Sequence, residues 1–208
     1  MDSYIKSKGY LNEFFFWNLP EFVFDDEMKI LLGQYYDNPK KYAFKFQNRL
    51  LIKKANMFKS FSDNLISEGI RYKNVVLIDR SFEVDKDVFF RIHHDEGNIS
   101  KDMVDKYELL HKKLMQSIYA NFQNEYLLEF NNIYLDTPPS VCSARIKSRG
   151  RCNEPEQIKL DYLKLVEKYH LELNAKRDKK TYVIDGTEQQ NIQMKSIYSL
   201  ILQKTQNK

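Results

Sequence analysis

Apolar residues recur along this chain with two different periods. Tyr42, Phe46, Leu50 and Met57 stand at helical spacing, and Val104, Tyr107, Leu110, Leu114 and Ile118 mark the inner stripe of a long helix that begins at Ser100. Positions three and four apart share one face of a helix, so both stripes predict helices packed on a core. Other apolar runs are short and continuous: EFVFDDE (residues 21–27), NVVLID (74–79), NIYLDTPP (132–139) and TYVID (181–185). Runs apolar on both faces predict strands of a parallel sheet covered on both sides. Residues 28–58 read as largely helical with a break at Asp37-Asn38-Pro39, where Pro39 suits the first turn of a new helix and Asn38 or Asp37 its cap. Tyr10 to Trp17 is apolar enough for either a short helix or a strand. A helix over 156–173 turns Ile158, Tyr162, Leu165 and Tyr169 inward, Gly186 stops the last strand, and a final helix follows from Asn191. Alternating strands and helices predict α/β architecture: one three-layer domain over residues 1–208, a parallel sheet flanked by helices.

Composition narrows the class. With 42% hydrophobic and 30% charged residues in 208, the chain suits a folded domain with a sizeable core. A net charge of +4 permits a phosphate-bearing ligand without requiring nucleic acid or a membrane surface. The two cysteines, Cys142 and Cys152, have no second pair and no histidine at ligand spacing, so neither a structural metal nor a disulfide framework is expected, and a reducing, intracellular setting fits. No apolar run approaches the roughly 18 residues of a membrane span. The N-terminus shows neither a signal-peptide pattern nor an arginine-rich presequence. The adjacent pair His93-His94 diverges on a helix, and a solvated role is expected for it.

Charge is concentrated in one place. Arg145, Lys147, Arg149 and Arg151 recur at every second residue in RIKSRGR, before Gly150-allowed turning and a closing Glu154-Pro155; an amphipathic helix is expected from near Glu156. In an extended or loosely helical segment these four cations line one side. They then repel each other unless an anion sits among them, and guanidinium forks match polyphosphate oxygens. A solvated basic helix face is the alternative. In parallel sheets ligands bind beyond the carboxyl ends of the strands, where Asp25, Asp26, Asp79 and Arg80 fall.

The strand IYLDTPP, a helix, RIKSRGR, an acidic residue and I-x-L-D-Y-L together resemble the lid region of the deoxynucleoside kinases. DRSFEVDKDVFF (79–90) resembles their Asp/Glu-Arg-Ser motif, in the variant of the bacterial deoxyadenosine/deoxyguanosine branch, and QYYDNPKKYAFKFQ (34–47) resembles the segment that shapes their nucleoside site. The resemblance implies that Arg80 contacts the substrate's 5′ region and phosphate, with Asp79 orienting groups around metal and phosphate. It implies that Tyr36 bonds the sugar 3′-hydroxyl, that Gln47 reads the base edge, that Asp85 pairs near the base with Lys54, and that Glu154 reaches the 3′-hydroxyl from the lid (145–156). Arg145, Arg149 and Arg151 match the lid arginines that grip donor phosphates. The general base that takes the 5′-hydroxyl proton matches Asp26, with Asp25 next.

The chain departs from the family upstream. Its first strand has no obvious counterpart, and no G-x-x-x-x-G-K-S/T occurs in these residues; SKGYLNEFF alone resembles the helix that follows that loop. A P-loop kinase-like fold with first strand and P-loop missing or degenerate is therefore expected. Two functions follow. One is a noncatalytic structural subunit, like the kinase-like accessory subunit of respiratory complex I, with protein partners or a homodimer, possible nucleoside or nucleotide binding, no required cofactor and a mitochondrial setting. The other is an active, cytoplasmic deoxynucleoside kinase using ATP and Mg.

Overall fold

The structure, a computed structural model, describes residues 8–11, 14–19, 25–67, 74–123, 131–150, 158–177 and 181–206. The chain packs as two compact units, Met1–Leu128 and Glu129–Lys208.

In the first unit, β1 (Lys8–Leu11) pairs antiparallel with β2 (Phe14–Leu19), which pairs parallel with β3 (Asn74–Ile78) in the register Phe15↔Asn74 to Leu19↔Ile78. The sheet of this unit is therefore mixed, not wholly parallel, because a short antiparallel strand is added at its edge. SKGYLNEFF, read as the helix after a phosphate loop, contributes strand instead at Lys8–Leu11.

The first helix, α1 (Asp26–Asp37), starts where a strand was expected to end. Asp25 takes extended backbone angles and its carboxylate accepts the N–H of Met28 at 3.0 Å. That is an N-cap, and Asp26 and Glu27 in the first turn favour the positive end of the helix dipole. Residues 25–27 are thus not strand, and 21–24 lie outside the described residues. Met28, Leu31 and Tyr35 turn inward at helical spacing. The helix ends at Asp37; Asn38 Oδ1 accepts from Lys41 N at 3.1 Å, and Pro39 opens α2 (Pro39–Ser67), as the Asp-Asn-Pro break predicts.

Spanning 29 residues, α2 serves two core clusters. Ala43, Phe46, Leu50 and Leu51 join Met28, Leu31, Tyr35, Phe90, Ile99 and Tyr107 in one, while Ala55, Phe58, Phe61 and Leu65 join Ile118 in the other. After β3, the chain enters a continuous helical run: α3 (Phe82–Val84), a π-helix (Asp85–Phe90) and α4 (Arg91–Asp95). Ser81 caps it, its Oγ accepting from Val84 N at 3.2 Å. The long helix α5 (Lys101–Gln123) buries Tyr107 and Ile118 and packs Val104, Leu110 and Leu114 against the clusters.

In the second unit, β4 (Asn132–Asp136) and β5 (Thr181–Asp185) form a parallel pair in the register Asn132↔Thr181 to Asp136↔Asp185. Pro139 opens α6 (Pro139–Arg149), and Gly150, at φ 62°, closes it in the left-handed conformation that glycine adopts without penalty. Beyond it, α7 (Leu160–Lys176) begins past the expected Glu156 and buries Tyr169 and Leu173. Last comes α8 (Gln190–Gln206), which contributes Ile201. Gly186 donates its N–H to Asp136 O at 2.7 Å, and a Cβ there would stand 1.8 Å from Thr137 Oγ1, so no larger residue fits without displacement. Among the described residues no helix is long and apolar enough to cross a membrane.

Candidate functional site

The candidate site in the first unit is built on α2 and the turn after β3. Gln47 and Lys54 lie two helical turns apart, so both face inward, 4% and 5% exposed. Lys54 Nζ donates to Asp85 Oδ2 at 2.6 Å and to the carbonyl of Arg80 at 2.6 Å. Burial pushes the Lys54 ammonium below its ordinary range, opposed by the charge and hydrogen bond of Asp85. Two ions removed from water are tolerated when they meet at such a distance with a further hydrogen bond. Asp85 opens the π-helix, which sets its carboxylate inward at 2% exposure. Its other oxygen, Oδ1, lies 3.5 Å from Arg80 Nε.

Arg80 itself has φ 56°, a left-handed backbone at a non-glycine residue. Its guanidinium carbon stands 4.6 Å from the centre of the Phe89 ring, and its side chain is 37% exposed. Asp79, beside it, is exposed at the end of β3. Gln47 Oε1 and Asp85 Oδ1 are buried oxygens without a hydrogen-bond partner among the described residues. Asp85 Oδ1 faces the Arg80 guanidinium, which leaves the Gln47 oxygen as the acceptor that suits a ligand presenting an N–H group, as a nucleobase edge does.

Tyr36 is half-buried on α1 against the first core cluster. Its neighbour Tyr35 stacks on Phe46 (centroids 4.9 Å, planes 9° apart), and the Tyr35 hydroxyl bonds His93 Nε2 at 2.8 Å. His93 is not solvated: it is 2% exposed and burial lowers its pKa to about 4, so the ring is neutral. His94 is exposed beside Asp95, as expected of the pair. Tyr36 and Gln47 each follow in sequence a member of a buried His93–Tyr35–Phe46 group, Tyr35 stacked on Phe46 and meeting the His93 ring edge-on, that sequence reading missed.

The candidate bases sit apart from this cluster in their chemistry. Asp26 pairs with Lys29 at 3.0 Å with its side chain 93% exposed. Asp25 is engaged by Lys53 and by Met28 N, and Glu27 by Arg49 at 2.7 Å. The Lys53 hydrogen bond, then that of Met28, holds the Asp25 carboxyl below the usual range; the Arg49 hydrogen bond does the same for Glu27.

In the second unit, Arg145 and Arg149 lie on α6 four residues apart and share a face, both exposed. Regular helix separates Lys147 from them, so the alternate spacing does not align all the cations on one side. Arg151 and Glu154 lie outside the described residues. Among the described residues no group of three or more metal-ligating side chains is present.

Residues 10–207 match the family profile of deoxynucleoside kinases. The chain is 33% identical over 161 residues to a deoxyguanosine kinase of Lactobacillus acidophilus, covering 75% of this chain and 64% of that one. It is 28% identical over 132 residues to the rat mitochondrial NADH dehydrogenase (ubiquinone) 1 alpha subcomplex subunit 10, covering 62% of this chain and 33% of the rat protein. A solved deoxyadenosine kinase of M. mycoides, with the products dCMP and dCDP bound, superposes with a TM-score of 0.62 over 86% of this chain and 85% of that one, at 23% identity, a likeness of fold. With its profile match running almost end to end and a P-loop kinase fold beneath it, the chain belongs to the deoxynucleoside kinase family.

Proposed function

We propose that this chain keeps a deoxynucleoside pocket and transfers no phosphoryl group, serving as an accessory subunit of a larger protein assembly. The observation that carries this reading is the state of the acids where the family's general base stands. Asp25, Asp26 and Glu27 are each engaged by a cation, and two of the three are held below the ordinary carboxylate range. A carboxylate whose pKa is depressed is a poor proton acceptor for a hydroxyl. The strand at Lys8–Leu11 also supports it, since the family's phosphate loop feeds a helix N-terminus there. The likeness to the rat respiratory subunit supports protein partners and a mitochondrial setting. This function requires neither ATP nor Mg.

The second reading is an active kinase moving the ATP γ-phosphate to a deoxynucleoside 5′-hydroxyl. The Lys54–Asp85–Arg80 cluster favours it, because it keeps a guanidinium, 37% exposed, where a substrate phosphate could meet it. Arg80, Arg145, Arg149 and Arg151 would then meet phosphates, Asp79 would stand beside Mg, and the cradle of main-chain amides would come from outside these residues. That cradle matters: several charge-assisted bonds at roughly 1.5–3 kcal/mol each amount to many orders of magnitude in rate.

Labelled ATP, Mg and each deoxynucleoside, incubated with the purified chain, separate the two. The expected result is deoxynucleoside binding by equilibrium dialysis without labelled monophosphate. Steady turnover abolished by Asp26→Asn would overturn the noncatalytic reading.

A further inference from the structure

We infer that Lys54 is a positioning residue: it holds the main chain of Arg80 in a left-handed turn and so aims the Arg80 guanidinium, instead of reading a base itself. Arg80 carries a Cβ and a long side chain, yet stands at φ 56°. Such a conformation is disfavoured for an L-residue and persists where the surroundings over-determine it. Here they do. Lys54 Nζ grips the Arg80 carbonyl at 2.6 Å and is itself anchored to Asp85 Oδ2 at 2.6 Å. The other oxygen of the same carboxylate faces Arg80 Nε at 3.5 Å, and the Phe89 ring lies against the guanidinium at 4.6 Å. On the far side of the turn, Ser81 is fixed by capping, with its Oγ accepting from Val84 N and its carbonyl from Asp85 N, each at 3.2 Å. One carboxylate thus holds both the side chain of Arg80 and, through Lys54, its backbone.

The donor inventory of Lys54 points the same way. An ammonium has three N–H groups. Two go to the Arg80 carbonyl and Asp85, and the ring of Phe82 stands 5.1 Å from Nζ. Little remains for a nucleobase, whereas the Arg80 side chain, 37% exposed, keeps guanidinium N–H groups for a ligand oxygen. Resting on the pocket reading proposed above, the clamp sets Arg80 against the 5′ end of a deoxynucleoside 5′-monophosphate.

The test uses the full chain, titrated by calorimetry with deoxynucleosides and with their 5′-monophosphates. Lys54→Met should weaken monophosphate binding by about tenfold or more, the worth of one charge-assisted hydrogen bond, and deoxynucleoside binding by less than about threefold. Lys54→Arg, whose fork can serve two acceptors, should restore most of the loss. Because Lys54→Met strands a buried carboxylate, Lys54→Met/Asp85→Asn is measured beside it, with both charges removed. A ligand-free arm reads Arg80 φ from backbone carbon-13 shifts: positive in the native chain, negative in the double variant. Equal loss for both ligand classes, or an Arg80 that keeps positive φ without Lys54, would overturn the clamp. A native chain that binds neither ligand would sink the pocket reading, while the carbon-13 arm would still decide the clamp.

Discussion

Acidification from pH 7 to pH 5 probes the buried His93. Its pKa is about 4 in the folded chain against 6.5 ordinarily, and the cause is burial. As pH falls through 6.5 the unfolded chain takes up a proton there, while the folded chain does not until about 4. The unfolded state binds more protons in that window, so stability is full above 6.5 and drains away as pH falls towards 4. At about 1.4 kcal/mol per pH unit the whole window is worth roughly 3 kcal/mol, and titration to pH 5 uses about 2 kcal/mol of it. Urea unfolding at the two pH values measures this, on the native chain and on His93→Gln. The glutamine amide can still bond the Tyr35 hydroxyl but does not titrate. The native chain should lose about 2 kcal/mol more than the variant, near 1 M in urea midpoint. His111, whose pKa is also lowered by burial, is common to both proteins and cancels in the comparison. Identical pH slopes for the two proteins would refute the reasoning.

Other substitutions read other parts of the molecule. Asp85→Ala leaves the buried Lys54 ammonium with the Arg80 carbonyl and should cost about 3–5 kcal/mol in urea unfolding. The Tyr107 hydroxyl is buried with no hydrogen-bond partner among the described residues, so Tyr107→Phe should raise stability by about 1 kcal/mol in the same assay. Gly186→Ala drives a methyl into Thr137 Oγ1 and to 2.9 Å from Asp136 O, and thermal unfolding should show a loss of about 1–3 kcal/mol.

Much of the fold was legible because local chemistry and tertiary packing agreed. Asp37-Asn38-Pro39 combines a cap with a fixed proline φ, and the helix break falls there. The α5 stripe is a plain 3.6-residue period, and it packs as written. Misreadings arose where one signal masked another. EFVFDDE drew attention to its apolar half, although Asp25 followed by two acids and Met28 is a helix start. His93 was hidden by the π-helix before it: bonds from i to i+5 slip the phase of the run, so Val84, Asp85, Val88, Phe90, Ile92 and His93 are all buried and no single α-helical stripe contains them. The partnership of Lys54 with Asp85 was suggested by family resemblance alone, since 31 residues separate the two and no local rule joins them. The grip on the Arg80 carbonyl involves a backbone atom, which has no letter in a sequence.

The wide turn at Asp85–Phe90 spends one residue more than a regular helix needs over the same path. Excising one residue there would let the run relax to regular α-helix while the faces downstream kept their directions, so His93 would stay beside its tyrosine. The same excision from the middle of an ordinary helix such as α2 would swing everything beyond it by about 100°. A homologue one residue shorter at this point could therefore carry a plain helix and the same buried wall, its loss confined to the inward setting of Asp85.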